Sequence, residues 1–234
     1  MRSNFQSKVF FTCAFLFSLF IANGQDWASL KRYKNENAAL KAPVRSENRV
    51  VFMGNSITQG WVELHPAFFT QNPYVDRGIS GQTTPQMLIR FRQDVIALQP
   101  KVVVILAGTN DIAGNTGPST LEMIMDNLSS MAELAKCNGI RVVLCSVLPA
   151  YDYPWKPGLE PNIKIPKLNA MIKLYCEKKG FVYLDYFSSM ANEKNGMIAD
   201  LTTDGVHCTL KGYQTMERLV DMAIKQSMKQ KVRK

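Results

Sequence analysis

The most constraining stretch of this chain is Lys101-Val102-Val103-Val104-Ile105-Leu106-Ala107, which is apolar at every position from Val102 to Ala107. A run without polar alternation suits a strand buried on both faces, as in a parallel sheet covered by helices. Four further apolar runs predict strands: Val50 to Gly54, Tyr74 to Ile79, Arg141 to Leu148 and Phe181 to Phe187. Helical patterns separate them. Thr84-Pro85 places a cap before a first-turn proline and leads into Met87, Leu88, Phe91, Val95 and Leu98. Ser119-x-x-Glu122 has the capping-box spacing and opens a stripe of Leu121, Ile124, Met125, Leu128, Met131 and Leu134, closed by Gly139. A third helix runs through Leu168, Met171, Ile172 and Tyr175 to Gly180, and a last one covers Leu210 to Met228. Strands alternating with helices predict an α/β domain with a mostly parallel sheet covered on both faces.

The first residues read differently. Arg2 and Lys8 precede a mostly apolar run from Val9 to Ala22, and Ala22-Asn23-Gly24 offers the small residues that a signal peptidase reads. Residues 1–24 are therefore expected to be a secretory signal, 25–48 a polar, helix-prone lead-in on the domain edge, and 49–234 the folded domain. The expected location is exported, periplasmic or secreted, with no stable membrane insertion after cleavage. The net charge of +9 falls by two on removing Arg2 and Lys8. Much of the remaining excess is Lys225, Lys229, Lys231, Arg233 and Lys234. No aromatic residue interleaves this run, so a solvated helix end is expected and not a nucleic-acid surface.

Histidine is scarce. His65 and His207 are the only two in the chain, which excludes a multi-histidine zinc site. No metal site built from histidines is expected. The cysteines after residue 24 match no zinc spacing; in an export context a Cys137–Cys176 bridge and buried or free thiols both fit.

Ligands of parallel α/β sheets bind beyond the carboxyl ends of the strands. Four short signatures fall there: Gly54-Asn55-Ser56 after the first strand, Ser80-Gly81-Gln82 after the second, Gly108-Thr109-Asn110-Asp111 after the third, and Asp204-Gly205-Val206-His207 past the fifth. Each alone fits ordinary turn chemistry, since Gly, Ser, Asn and Asp favour turns and caps. Together they supply the parts of acyl transfer: a nucleophile, a base, a group orienting the base, and donors for an oxyanion. Ser56 is the candidate nucleophile, His207 the base and Asp204 its orienting partner. The N–H groups of Ser56 and Gly81, with the Asn110 amide, are the candidate oxyanion hole. His65 lacks an Asp three residues before it, and Asp111 reads as a brace for the Asn110 loop.

This set resembles the SGNH hydrolases, also called GDSL-type esterases and lipases, whose four blocks match Ser56, Gly81, Asn110 and His207, with Asp204 in the Asp-x-x-His block. The wider sequence is similar to exported bacterial acylhydrolases resembling platelet-activating-factor acetylhydrolase-like members. The resemblance implies a three-layer α/β/α sandwich, flavodoxin-like, with a five-stranded parallel sheet and no cofactor. Asn55 stands where the family usually has Asp, and Cys208 where a proline is frequent; a passive thiol is expected there. The implied activity is a serine esterase cleaving short, acetyl-type esters. Tyr151, Tyr153 and Trp155 on a proline-rich loop are candidate sugar contacts, and no amphipathic lid favours long-chain lipids. Acyl transfer to a sugar acceptor and glycan binding without catalysis are the rival functions. The expected partner is a small-molecule or carbohydrate ester, with the oligomeric state open.

Overall fold

The computed structural model describes residues 25–230, so the expected signal segment lies outside the described residues. The chain opens with α1 (Lys34–Ala39), β1 (Val50–Gly54), α2 (Ser56–Leu64), α3 (Pro66–Thr70), β2 (Tyr74–Gly78) and α4 (Thr84–Asp94). It continues through β3 (Val102–Leu106), α5 (Thr109–Ile112), α6 (Leu121–Cys137) and β4 (Arg141–Cys145). Then come α7 (Pro161–Lys179), β5 (Val182–Leu184), α8 (Phe187–Met190) and α9 (Leu210–Lys229).

The five strands form one sheet in the order β2-β1-β3-β4-β5, with every pair parallel. Strand residues alternate between two cores. Val51, Met53, Val103, Ile105, Val142 and Leu144 face α4, α6 and α7 through Met87, Phe91, Ile124, Leu128, Leu168 and Ile172. Val50, Phe52, Val104, Val143 and Val182 face α2, α3 and α9 through Trp61, Phe68, Phe69, Tyr213, Met216 and Val220. Trp61 stacks on Phe68 with centroids 5.0 Å apart, and Phe52 meets Trp61 edge-on at 5.6 Å. Such aromatic pairs add about 0.5–1.5 kcal/mol each beyond area burial. The result is the expected three-layer α/β/α sandwich of flavodoxin-like strand order, with its switch point between β1 and β3.

Several boundaries differ from the sequence reading. The apolar run Arg141 to Leu148 pairs as a strand only to Cys145. Val147 stays buried because the Asn169 side chain takes over both backbone groups, accepting from its N–H at 2.7 Å and donating to its carbonyl at 3.0 Å. Burial, not ladder pairing, extends that run. Two other strand runs also end inside their predicted limits, at Gly78 in β2 and Leu184 in β5, whereas β1 keeps its predicted bounds. The cap of α6 is Thr120, not Ser119: its hydroxyl accepts from the Met123 N–H. Helix α4 stops at Asp94, and a short 3₁₀ turn carries Leu98 into the same core. Periodicity alone cannot register that break, because Val95 and Leu98 stay buried across it.

Cys145, Cys176 and Cys208 are buried free thiols and Cys137 is exposed and free. Cys176 faces the Val182 carbonyl inside the core, so the Cys137–Cys176 bridge is not formed. The 25–48 lead-in contains one short helix, α1, and buries Ala28 and Tyr33. No helix among the described residues is long and apolar enough to cross a membrane.

Candidate active site

Ser56 occupies the first position of α2, directly beyond β1, so its N–H has no acceptor within the helix. Asn55 caps that helix by accepting from the Ile57 N–H at 3.0 Å. The amide in place of the usual carboxylate therefore keeps the turn closed. Gly78, the residue ending β2, allows α2 to lie directly on this strand: a Cβ there would overlap the Gln59 backbone nitrogen.

The Ser56 Oγ lies 3.0 Å from the His207 Nε2. The opposite ring nitrogen, Nδ1, lies 2.7 Å from the Asp204 Oδ2. With a proton on Nδ1 directed at the carboxylate, Nε2 is left to accept from the serine hydroxyl. The Asp204 loop is organised for this aim. Its Oδ1 accepts from the backbone N–H groups of Val206 and His207 at 2.9 and 2.7 Å, which leaves Oδ2 to the ring. Thr202 closes the loop, with its hydroxyl donating to the His207 carbonyl and accepting from the Gly205 N–H. Burial works against the Asp204 carboxylate, but the His207 N–H and ring and the Val206 N–H outweigh it and hold it below its ordinary value.

The other site candidates lie on the strand ends beside β1. Gly54 is in register with Gly78 on one side and Leu106 on the other, so the loops carrying Gly81 and Asn110 rise on either side of Ser56. Asn110 Nδ2 donates to the Gln82 carbonyl at 2.9 Å, tying the two loops together and committing one of its two amide protons. Gly81 adopts φ +76°, and nothing stands within 4 Å of where its Cβ would project. Its glycine identity follows from backbone conformation and open space, not from crowding. Asp111 is the expected brace: it accepts from the Thr84 N–H and, at 2.6 Å, from the Thr84 hydroxyl. Burial, against those two bonds, pushes its carboxyl up to about 6.

A cleft of about 280 Å³ opens beside Ser56 and His207, walled by Gln59, Leu64, Ser80 and Thr203. A second, of about 290 Å³, lies on the far side of Asp204 and is lined by Tyr151, Pro154, Pro157, Asn192 and Met197. Of the three aromatics on the neighbouring loop, Tyr151 and Trp155 are exposed. The Trp155 ring sits 6.1 Å from that of His207. Tyr153 corrects the sequence reading. It is fully buried, with its hydroxyl against the Thr109 hydroxyl and carbonyl, and it lies under Trp155 at 5.3 Å as a support. Asp152 fastens this loop by accepting from the Gly158 N–H. His65 lies elsewhere, paired at 2.5 Å with Glu217, which also accepts from the Trp61 indole. No cluster of three or more metal-ligating side chains occurs among the described residues.

Sequence reasoning misses Gln82 and Arg90. Both are buried, and Arg90 donates to the Gln82 Oε1 at 2.5 Å and to the carbonyls of Gly54 and Arg77 at 2.9 Å. The available signal is a charged residue on the apolar face of α4, four positions before Asp94, its ion-pair partner at 3.0 Å.

A five-stranded parallel sheet between helical layers, with a serine at its switch point in contact with histidine, places the chain among the three-layer α/β hydrolases. It belongs to the GDSL-like lipase/acylhydrolase family, whose pattern matches residues 52–215. It is similar to a solved GDSL-like lipase from Bacteroides thetaiotaomicron, 50% identical, with a TM-score of 0.83 over 85% of this chain and 98% of that one. A solved protein from Bacteroides fragilis, described as an acylhydrolase, is 48% identical, with a TM-score of 0.86 over 88% of this chain and all of that one. An acetylxylan esterase from Xylanibacter ruminicola is 25% identical over 222 residues, 80% of this chain. The chain spans 45% of that relative's length.

Proposed function

We propose that the protein is an exported serine esterase that removes short acyl groups, acetyl foremost, from carbohydrate esters. The observation that carries the chemistry is the chain of contacts from the Ser56 hydroxyl through the His207 ring to the Asp204 carboxylate, at 3.0 and 2.7 Å. Ser56 Oγ attacks the ester carbonyl while His207 Nε2 takes its proton. Asp204 holds the ring in the required tautomer and stabilises the imidazolium. The N–H groups of Ser56 and Gly81 and the remaining Asn110 amide proton receive the developing oxyanion. His207 returns the proton to the leaving alcohol, and a water molecule activated by the same ring releases the acid from Ser56.

The carbohydrate part rests on the exposed rings of Tyr151 and Trp155 beside the His207 loop, and on likeness to an acetylxylan esterase. The cleft beside Ser56, of about 280 Å³, suits a small acyl group. Export rests on the basic start, the apolar run and the small residues of positions 1–24.

The deciding experiment compares wild type and Ser56→Ala on p-nitrophenyl acetate and on acetylated xylooligosaccharide. Turnover by the wild type and none by the variant is expected. Undiminished turnover by Ser56→Ala overturns the nucleophile, and turnover of long-chain esters alone overturns the substrate class.

A further inference from the structure

The loop from Gly78 to Thr83 carries the Gly81 N–H, yet little packing holds its apex. Gly81 and Ser80 are exposed, and the space beyond Gly81 is empty to 4 Å. Its position is set by hydrogen bonds. Asn115 donates to the Gly81 carbonyl at 3.1 Å, Asn110 donates to the Gln82 carbonyl, and Gln59 accepts from the Ser80 N–H at 3.0 Å.

Thr83 is further tied to Thr116 and Gln86, and a separate set of ties comes from residues 25–40, outside the 52–215 span that matches the family. The buried Gln82 side chain donates to the Ala28 carbonyl at 2.8 Å, and the Tyr33 hydroxyl donates to the Gly78 carbonyl. Asn37 accepts from Arg77 Nε at 2.8 Å and donates to Asp94 at 2.7 Å. Asp94 is the partner of Arg90, which in turn grips Gln82 and the carbonyl of Gly54, two residues before Ser56. A continuous polar chain therefore runs from the N-terminal segment to both flanks of Ser56. A strap that served only to cover the domain edge would need no more than the burial of Ala28 and Tyr33; the bonds go beyond that and land on the loop and on the residues beneath it.

We propose that Tyr33 and Asn37 are positioning residues, which through Gly78, Gln82 and Arg90 hold the Gly81 N–H where the oxyanion forms. The inference rests on the esterase reading above. Because the effect is on the transition state, the loss should fall on kcat and leave KM in place.

The test uses the full chain carrying Tyr33→Phe with Asn37→Leu, which keep bulk and remove the polar ties. Kinetics with p-nitrophenyl acetate should show kcat lower by about tenfold and KM within about twofold of wild type. Affinity for a trifluoromethyl ketone, which adds Ser56 Oγ to its carbonyl and leaves the charge on oxygen, should fall in parallel. A lower melting temperature with unchanged kcat, or a change confined to KM, overturns the proposal. Should the double variant not fold, Gln82→Met interrupts the same polar chain at its loop end, by removing the bonds to Ala28 and Arg90: a kcat loss with KM held supports the proposal and an unchanged kcat overturns it. A wild-type protein without Ser56-dependent turnover overturns the esterase reading itself. With that turnover present, the strap variants judge the positioning role alone.

Discussion

Ser56 and His207 are 151 residues apart in the chain, yet the Oγ of one lies 3.0 Å from the Nε2 of the other. The contact arises because β1 delivers Ser56 to the carboxyl edge of the sheet while α9 is anchored beneath it. Tyr213, in the first turn of α9, donates from its hydroxyl to the Ile57 carbonyl at 2.8 Å. The loop preceding α9 is thereby brought over the start of α2.

Asp204→Asn tests what the carboxylate does. The amide keeps the size of the side chain and can accept through one atom, but it cannot both accept from the loop N–H groups and accept the ring proton. The imidazole is then free to present its N–H to Ser56, the wrong tautomer for a base. A fall in kcat of roughly 10³–10⁴ is expected, with folding retained, since comparable orienting carboxylates carry losses of that order. Steady-state kinetics with a short ester checks it, and a loss below about tenfold would remove Asp204 from the role.

Asn110→Ala addresses the oxyanion side. One amide proton of Asn110 is held by the Gln82 carbonyl, which fixes the plane of the group, and the proposed role falls to the other proton. Removing a donor of this kind costs about 10²–10³ in kcat. KM should change little, because the ground-state carbonyl gains less than the oxyanion. Gly81→Ala should act differently: φ +76° makes any Cβ cost about 1–2 kcal/mol in conformation, with no clash to add. Both variants are read by separating kcat from KM and by thermal melting, and an unchanged kcat for Asn110→Ala sinks its assignment.

How far these groups are legible in the sequence depends on how local their signals are. Ser56, Asp204 and His207 stand in short segments whose residue types, within four positions, already match the proposed chemistry, so each can be put forward before any contact is known. The β3 run, apolar on both faces, likewise announces a central strand. Gln82, Arg90, Tyr33 and Asn37 offer no such pattern. Tyr33 and Asn37 stand at α1, Gln82 in the loop after β2 and Arg90 on α4, and these single polar residues become a network only when α1, β2 and α4 are brought together. Tyr153 shows the opposite failure. Its neighbours in the sequence, Tyr151 and Trp155, are exposed, and alternation cannot reveal that Thr109 captures its hydroxyl. The overlong β4 reading has the same origin, since Asn169 buries Val147 without a ladder partner.

Trp155→Ala distinguishes a carbohydrate substrate from a generic ester. The ring is exposed, rests on Tyr153 and stands over the His207 side of the site. If a sugar ring packs on it, KM for acetylated xylooligosaccharide should rise by about three- to tenfold, the equivalent of one aromatic contact. Turnover of p-nitrophenyl acetate should hold nearly constant. Equal effects on the two substrates would mean that Trp155 serves the His207 loop and not the sugar.

The last expectation concerns pH and stability. Asp76, on β2, is half-buried, but its Oδ2 is enclosed and has no hydrogen-bond partner; desolvation of the carboxylate pushes it up to about 7, against the opposing pull of the Gly78 N–H, Arg77, Tyr33 and Arg90. The ordinary value is 3.8. Between those two values the native protein keeps a proton that the unfolded chain has released, so stability falls as pH rises. The contribution is complete below 3.8 and lost once pH passes about 7. Asp111, pushed up to about 6 by burial, adds a slope of the same sign. Asp204 works the other way: its depressed value makes its contribution present above the ordinary carboxylate range and lost in acid. Asp76→Asn can still accept from the Gly78 N–H but no longer titrates. Its stability relative to wild type should therefore improve steadily from pH 4.5 to pH 8, because only the wild type must bury a charge at the upper end. Urea unfolding at the two pH values measures this, and a difference that does not grow with pH would show that Asp76 titrates alike in the folded and unfolded chains.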